Sequence, residues 1–175
     1  MKSSIQEILF EHQDVLNKRK QLDQLFNMIA SCHVSIGGSY ALKFWCSAFS
    51  EREVSDYDFI VRGSKEELEK IDKFITLQNT ITKWFKLPEK YQYMDRKSFY
   101  MGELRGKKIN VILEPTADTL IIWDIEFLED IINVKRQWCK EYIEKGQRPR
   151  YKDVHDIALY EEWKSENAAD SDLPF

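Results

Sequence analysis

The sequence is poor in the residues that build disulfide frameworks, zinc fingers and flexible linkers. It has three cysteines, four prolines and six glycines in 175 residues. Because Cys32, Cys46 and Cys139 are odd in number and form no CxxC or CxxH pair, we expect reduced thiols rather than disulfides or a zinc site. This pattern is typical of a reducing compartment, and it favours a cytoplasmic protein.

Long apolar runs and a surplus of positive charge are missing as well. No stretch approaches the roughly 20 apolar residues that cross a bilayer. The first residues, MKSSIQEILFEHQ, carry charges where a signal peptide is apolar, so we expect no membrane association. The formal net charge is −4, which argues against nucleic-acid binding driven by bulk positive charge but leaves a local basic patch open.

What the chain does contain is enough apolar material for a core. Hydrophobic residues make up 43% of the sequence and aromatic residues 13%, which excludes disorder along the whole chain. The length fits one domain, or one domain with a small appendage.

Hydrophobic periodicity predicts an α+β domain with a small mixed sheet flanked by helices and with further helices at the C-terminus. A capping box is expected at Ser64 and Glu67, and the pattern around Leu87 and Pro88 is irregular. The expected strands cover residues 33–36, 56–61, 98–104 and 108–113, and the expected helices cover 4–30, 40–49, 64–77, 125–144 and 152–164. This order divides the chain into an N-terminal helix (1–30), a core (31–118), a helical C-terminal part (119–165) and a flexible tail (166–175).

Two acidic residues on a predicted strand favour a metal site. Because side chains alternate along a strand, Asp56 and Asp58 project from one face, about 6 to 7 Å apart along the backbone. Carboxylates this close repel each other unless a cation neutralises them, and oxygen-only ligands suit Mg²⁺ or Mn²⁺ rather than zinc. Such metals clamp the phosphates of a nucleoside triphosphate. The alternative interpretation is a solvated strand end with two ordinary acids.

A glycine pair upstream of these aspartates is suited to phosphate binding. Gly37 and Gly38 allow the backbone to approach a ligand closely, and the amides that begin the next helix can hold a phosphate. The Ser39 hydroxyl can add a further donor. Taken alone, the three residues would form a plain turn more often than a phosphate-binding loop.

Together, the segments IGGSYALKF and SDYDFIV resemble the signature of the nucleotidyltransferase superfamily, which has the DNA polymerase β-like fold. They are similar to its minimal prokaryotic branch and to AbiEii-type toxins. The resemblance implies a mixed sheet of the nucleotidyltransferase type. It also implies an enzyme that moves a nucleoside monophosphate from a triphosphate to an acceptor hydroxyl. In this interpretation Asp56 and Asp58 hold Mg²⁺ (or Mn²⁺) and are the catalytic residues, and the triphosphate binds at Gly37, Gly38 and Ser39.

The resemblance extends into the C-terminal part. Lys135 stands where AbiEii-type proteins carry a helical lysine thought to hold the triphosphate, and the segment YKDVHDI, with Lys152, resembles their closing helix. Both lysines are therefore nucleotide-binding candidates. The acceptor implied by similar families is RNA, a protein or a small hydroxylated molecule, and a toxin of this kind would have an antitoxin as its partner.

Two features depart from the family pattern. The gap between Ser39 and Asp56 is a few residues longer than usual, which a loop at residues 50–54 can absorb. The third carboxylate, expected in a Lys-Ile-Asp-Val context, is replaced by Asn110 in Lys-Ile-Asn-Val. An amide oxygen still ligates a metal but cannot accept a proton from an attacking hydroxyl.

Two glutamates are candidates for the missing carboxylate. Glu114 shares the strand face with Asn110, and Glu103 lies on the partner strand. If neither substitutes, the alternative to an active nucleotidyltransferase is a catalytically degenerate protein of the same fold that binds a nucleotide or a partner. A plain scaffold with an accidental aspartate pair is the third hypothesis.

Overall fold

The structure is a computed structural model that describes residues 5–82, 85–86, 96–104, 106–117 and 120–171. The irregular segment around Leu87 and Pro88 lies outside these ranges. The described residues form five α-helices, one 3₁₀ turn and six strands. In chain order these are α1 (Ile5–Ile29), β1 (His33–Ile36), α2 (Gly38–Trp45), the 3₁₀ turn (Ser47–Phe49), β2 (Asp56–Gly63), α3 (Lys65–Thr82), β3 (Phe85–Lys86), β4 (Lys97–Leu104), β5 (Lys107–Pro115), β6 (Trp123–Ile125), α4 (Leu128–Glu144) and α5 (Tyr151–Ser171).

All six strands belong to one mixed sheet in the order β3-β4-β5-β2-β1-β6. The central strand β2 pairs in parallel with β5 and antiparallel with β1. At one edge β6 runs parallel to β1, and toward the other edge β4 runs antiparallel to β5 and the edge strand β3 antiparallel to β4. The α+β class with a mixed sheet and C-terminal helices is therefore confirmed.

Alternation along the strands divides the side chains between two faces of the sheet. One face packs on α1 and α3 through a core that includes Ile29, Val61, Ile71 and Val111. A second core joins α2, the 3₁₀ turn, α4 and α5 on the other side of the sheet, with Phe49 and Tyr160 among its members. Because Asp56, Asp58 and Asn110 alternate with residues of the first core, they face the helices of the second.

Local signals in the sequence explain several element ends. The predicted capping box is present, since the Glu67 amide donates to Ser64 Oγ at 3.2 Å and the Ser64 amide donates to Glu67 Oε2 at 3.0 Å. α3 nevertheless continues to Thr82, beyond the predicted end at 77. Gly146, with φ +69°, follows α4 in the left-handed region that ends many helices.

Two predicted helices begin later or end earlier than expected. The helix predicted over 125–144 begins at Leu128, because residues 123–125 form β6. Hydrogen bonds from the Val34 amide to Ile122 O and from the Glu126 amide to Ile36 O, both 2.9 Å, hold this segment against β1. The helix predicted over 40–49 is α2 followed by a separate 3₁₀ turn.

The last helix is longer than predicted. α5 continues to Ser171, so residues 166–171 of the expected flexible tail are helical, while residues 172–175 lie outside the described ranges. The extension contains no glycine or proline and includes Glu166 and two alanines, which are good helix formers.

The three cysteines are not joined by disulfides in the structure. Cys32, Cys46 and Cys139 are free thiols, and the first two are buried. Each described helix is too short or too polar to span a bilayer.

Candidate functional site

A cleft of about 500 Å³ opens between the polar face of the sheet and helices α2, α4 and α5. Seven of the eight site residues predicted from the sequence line it: Gly38, Ser39, Asp56, Asp58, Asn110, Lys135 and Lys152. The eighth, Gly37, is outside this lining and donates its backbone N–H to the carbonyl oxygen of Asp58 at 2.8 Å. Residues that are up to 114 positions apart in the sequence (Gly38 and Lys152) thus meet in one cavity.

The two aspartates point in the same direction, as their spacing predicted. The parallel register of β2 and β5 sets Asp58 beside Asn110. The Asn110 side-chain amide donates from Nδ2 to Asp58 Oδ1 at 3.0 Å and to Asp56 Oδ2 at 3.3 Å. One donor nitrogen therefore occupies the point at which the two carboxylates converge, which is where a shared cation would lie.

The electrostatics of this pair favour a bound cation. Burial, followed by repulsion from Asp56, raises the pKa of the Asp58 carboxyl above its ordinary value. The hydrogen bond from Asn110 and the charges of Lys152 and Lys135 lower that pKa in part. A divalent cation between the carboxylates would relieve the repulsion and favour the ionised form.

The donor set fits a Mg²⁺ or Mn²⁺ ion that takes only some of its ligands from the protein. In the described ranges, no three histidine, cysteine, aspartate or glutamate side chains converge on one point. Asp56 and Asp58 would hold the metal, and rotation of the Asn110 amide would offer Oδ1 as a third oxygen. Mg²⁺ is commonly bound in this manner, by one or two carboxylates with water and substrate phosphates as the other ligands.

The glycine loop is shaped by its contact with Asp58. Gly38 has φ +60°, and a Cβ atom at this position would overlap Asp58 Oδ2. It begins α2, whose N-cap residue Gly37 makes no side-chain capping hydrogen bond. The first backbone amides of α2 consequently receive no side-chain capping contact from Gly37. They lie at the cleft, where Gly38 and the buried Ser39 are part of the lining.

Replacing Gly38 by alanine should destabilise the protein by about 3 kcal/mol, because a left-handed alanine costs about 1–2 kcal/mol and the overlap with Asp58 adds to it. The matched control is Gly146→Ala, since Gly146 has φ +69° with no atom within 4 Å of the added methyl group. Gly146→Ala should lower the free energy of unfolding only by the cost of the left-handed backbone, about 1–2 kcal/mol. Urea denaturation measures both, and equal losses would show that contact with Asp58 does not constrain the loop.

Lys135 lines the cleft and belongs to a buried ionic network at its border. Its ammonium group is 2.8 Å from Asp153 Oδ1 and 3.2 Å from Asp156 Oδ2, and both aspartates are fully buried. Arg150 bonds both oxygens of Asp153, and Arg52 forms a two-pronged pair with Asp156. Since three cations share two anions, the network retains one positive charge.

The long connection between α2 and β2 has a structural role. It was expected only to absorb the extra residues after Ser39, but it places Phe49 in the second core and Arg52 against Asp156 on α5. The additional length thereby links the first half of the chain to the helix that fixes Lys135.

The charged lining of the cleft suits an anionic ligand beside a metal. Five basic side chains and three acidic ones line it, and two of the basic ones, Lys135 and Arg150, are paired with Asp153. The basic ones are Arg96, Lys108, Lys135, Arg150 and Lys152, and the acidic ones are Asp56, Asp58 and Glu126. Cations grouped in a cleft concentrate polyanions such as a triphosphate.

Four of these charged residues are not predicted by the sequence patterns. Lys108 had a usable signal, because it precedes Asn110 by two positions and pairs with Asp56 in the sheet register. Arg150 belongs to a basic stretch just before Lys152. Arg96 and Glu126 follow no local pattern, since the pairing of distant strands determines where they lie.

The two glutamates proposed as substitutes for the third carboxylate are both outside the cleft lining. Glu103 is exposed and pairs with Lys108 beyond an irregularity in the β4–β5 ladder at residues 100–103. The Glu114 carboxylate is engaged by Arg62, at 3.4 Å, and by Arg96. In this structure neither glutamate is positioned to replace Asn110.

The cleft thus combines a carboxylate pair, a glycine turn at a helix N-terminus and an excess of cationic side chains. These groups can hold a divalent metal together with a phosphorylated ligand. Comparisons of the chain with protein-family models, with curated proteins and with solved structures give no match.

Proposed function

We propose that the protein is a Mg²⁺-dependent nucleotidyltransferase that moves a nucleoside monophosphate from a triphosphate to an acceptor hydroxyl. The observation that carries the proposal is the convergence of Asp56 and Asp58 with Gly38 and Ser39 in one cleft. The mixed sheet with β2 at its centre, which presents both aspartates to that cleft, is consistent with the nucleotidyltransferase type of fold.

Each part of the cleft has a role in this reaction. The first amides of α2 and the Ser39 hydroxyl bind phosphate oxygens, and Lys135 and Lys152 neutralise the triphosphate. Asp56 and Asp58 hold the metal, which on binding stabilises the negative charge that develops on the phosphates. The buried partners of Lys135 keep its ammonium group at a fixed position, so less ordering is needed when the ligand binds.

One observation favours a second candidate function. Asn110 donates a hydrogen bond to each aspartate, which stabilises the carboxylates without a metal. A site neutralised in this way, with an amide where the family resemblance implies a carboxylate, is suited to a protein that binds a nucleotide or a partner without transfer.

Replacing Asn110 by aspartate should distinguish the two candidates. The change removes the donor and adds a third negative charge, so we expect weaker stability without metal and tighter Mg²⁺ binding. In a degenerate site it should also raise transfer, since general-base assistance is typically worth about 10²–10⁴-fold. Thermal unfolding across a Mg²⁺ series and a transfer assay give the two readouts. A fast wild type that is slowed by Asn110→Asp would show that Asn110 is not a lost base.

The function itself is tested with α-labelled nucleoside triphosphates and Mg²⁺. Each of the four nucleotides is incubated with total RNA, with casein or with a mixture of small polyols and amino alcohols, and both label transfer and pyrophosphate release are measured. The proposal expects transfer that is lost in Asp56→Asn and Asp58→Asn. Stabilisation by Mg²⁺ and nucleotide without transfer supports the binding protein instead, and the absence of both effects rejects nucleotide function altogether.

A further inference from the structure

A third carboxylate lines the cleft, and neither the sequence motifs nor the roles above use it. Glu126 follows β6 and is buried, with 6% of its surface exposed. Its backbone amide is fixed by Ile36 O at 2.9 Å, at the end of the strand that leads into the glycine loop. Glu126 also lines a second cavity of about 620 Å³ on the same face of the sheet. It therefore lies in the wall that the two cavities share.

The two oxygens of Glu126 have different surroundings. Oε1 accepts a hydrogen bond from Arg62 at 3.2 Å and is 3.6 Å from the guanidinium of Arg96. Oε2 lies against the glycine loop, because a Cβ atom on Gly37 would be 2.7 Å from it. The next residue, Gly38, makes the corresponding close approach to Asp58. The glycine pair is thus flanked by a carboxylate at each residue, one of them in the aspartate pair.

We propose that Glu126 accepts the proton of the acceptor hydroxyl, the role for which Asn110 lacks a basic group. This inference rests on the proposed nucleotidyltransferase function. With the triphosphate in the cleft, the acceptor approaches from the second cavity and its hydroxyl meets Oε2 at the shared wall. The hydroxyl proton passes to Oε2 as the oxygen forms a bond to the α-phosphorus. The bond from the α-phosphorus to the bridging oxygen breaks, pyrophosphate leaves with that electron pair, and Glu126 returns the proton to solvent.

The surroundings of Glu126 make its carboxylate a stronger base than an ordinary glutamate. Burial raises the pKa of its carboxyl; Arg96 and Arg62 lower it, while Glu114 and Asp130 raise it. A base with a raised pKa takes a proton more readily than an ordinary carboxylate. Because Glu126 must be ionised to act, the transfer rate should rise with pH through its pKa and level off above it.

The test compares Glu126→Gln with Glu114→Gln. Both glutamates bond Arg62 and Arg96 and line the second cavity, so each substitution removes one charge from the same arginines and from the acceptor's path, but only Glu126 also lines the cleft. With an acceptor labelled by the wild type, Glu126→Gln should lower kcat by about 10²–10⁴-fold and abolish the acidic limb of the pH profile. Glu114→Gln should change kcat by less than about threefold and retain that limb. Stabilisation by Mg²⁺ and nucleotide should persist in both.

Equal kcat losses in the two variants, or an unchanged pH profile in Glu126→Gln, would overturn the inference and leave the nucleotidyltransferase function standing. A wild type that transfers nothing would instead reject the proposed function, and the inference with it. If Glu126→Gln fails to fold, Glu126→Asp keeps the charge but shortens the side chain by one methylene group. It should lower kcat while nucleotide stabilisation persists, and full activity in Glu126→Asp would also overturn the inference. Adding Asn110→Asp to Glu126→Gln should restore part of the lost rate.

Discussion

Replacing Asp156 by asparagine should lower the free energy of unfolding by about 3–5 kcal/mol, the usual cost of removing one partner from a buried ion pair. Asp156 is fully buried and pairs with both Arg52 and Lys135. An amide cannot neutralise either cation, so Arg52 would lose this carboxylate partner and Lys135 would keep only Asp153, which it shares with Arg150. The loss is measured by urea denaturation followed by circular dichroism.

An exposed ion pair on the same helix supplies the control. Glu161 pairs with Arg136 at the surface of α5, and Glu161→Gln should cost less than about 1 kcal/mol because exposed pairs are screened by water. Comparable small losses in both variants would show that the buried network does not anchor α5. A large loss of stability in Asp156→Asn alone would show that the long α2–β2 connection, which contains Arg52, contributes to stability through this ion pair.

Replacing Asp58 by asparagine should weaken ligand binding but, unlike the change at Asp156, should not lower the stability of the ligand-free protein. Stabilisation by Mg²⁺ and a nucleoside triphosphate, about 2.7 kcal/mol at a ligand concentration one hundred times Kd, should largely disappear. Without ligand, the variant should be at least as stable as the wild type at pH 8. The reason is that the pKa of Asp58 is raised by burial and by Asp56, so ionisation of this carboxyl destabilises the folded state.

The raised pKa of Asp58 also determines how the stability of the two proteins changes with pH. A carboxyl whose pKa is higher in the folded state than in the unfolded state binds more protons when folded, so stability falls as pH rises between the two values. Asp58→Asn removes that fall. Relative to the wild type, the variant should therefore gain stability as pH rises from the ordinary carboxyl range through the raised pKa. Thermal unfolding at a series of pH values, with and without Mg²⁺ and nucleotide, measures both effects.

Asp23 on α1 provides the matched control, since it is exposed and belongs to a helix that packs on the other face of the sheet. Asp23→Asn should leave the ligand-induced stabilisation and its pH dependence unchanged. If Asp58→Asn retained the full stabilisation by nucleotide, the ligand would bind outside this cleft and the metal site would have to be abandoned.

Features set by neighbouring residues were determined by the sequence itself. Period-two alternation fixed Asp56 and Asp58 on one face of a strand, the Ser64–Glu67 box fixed the start of α3, and the apolar spacing predicted α1. Each depends on contacts within a few residues, where strand and helix geometry is the same in any fold. The glycine turn ahead of α2 belongs to this group, although the reason for Gly38, its contact with Asp58, is tertiary.

Features set by distant residues were decided only by the tertiary structure. β6 has three residues and no periodic signal, and it forms because β1 offers it hydrogen-bonding groups, so the helix predicted from 125 was placed too early. The pairing of Asn110 with both aspartates depends on the parallel register of β2 and β5. The same kind of long-range pairing engages Glu114 with arginines and brings Glu126 into the cleft. No local pattern encodes a register between strands some fifty residues apart, because it is fixed by which faces are buried when the whole sheet assembles.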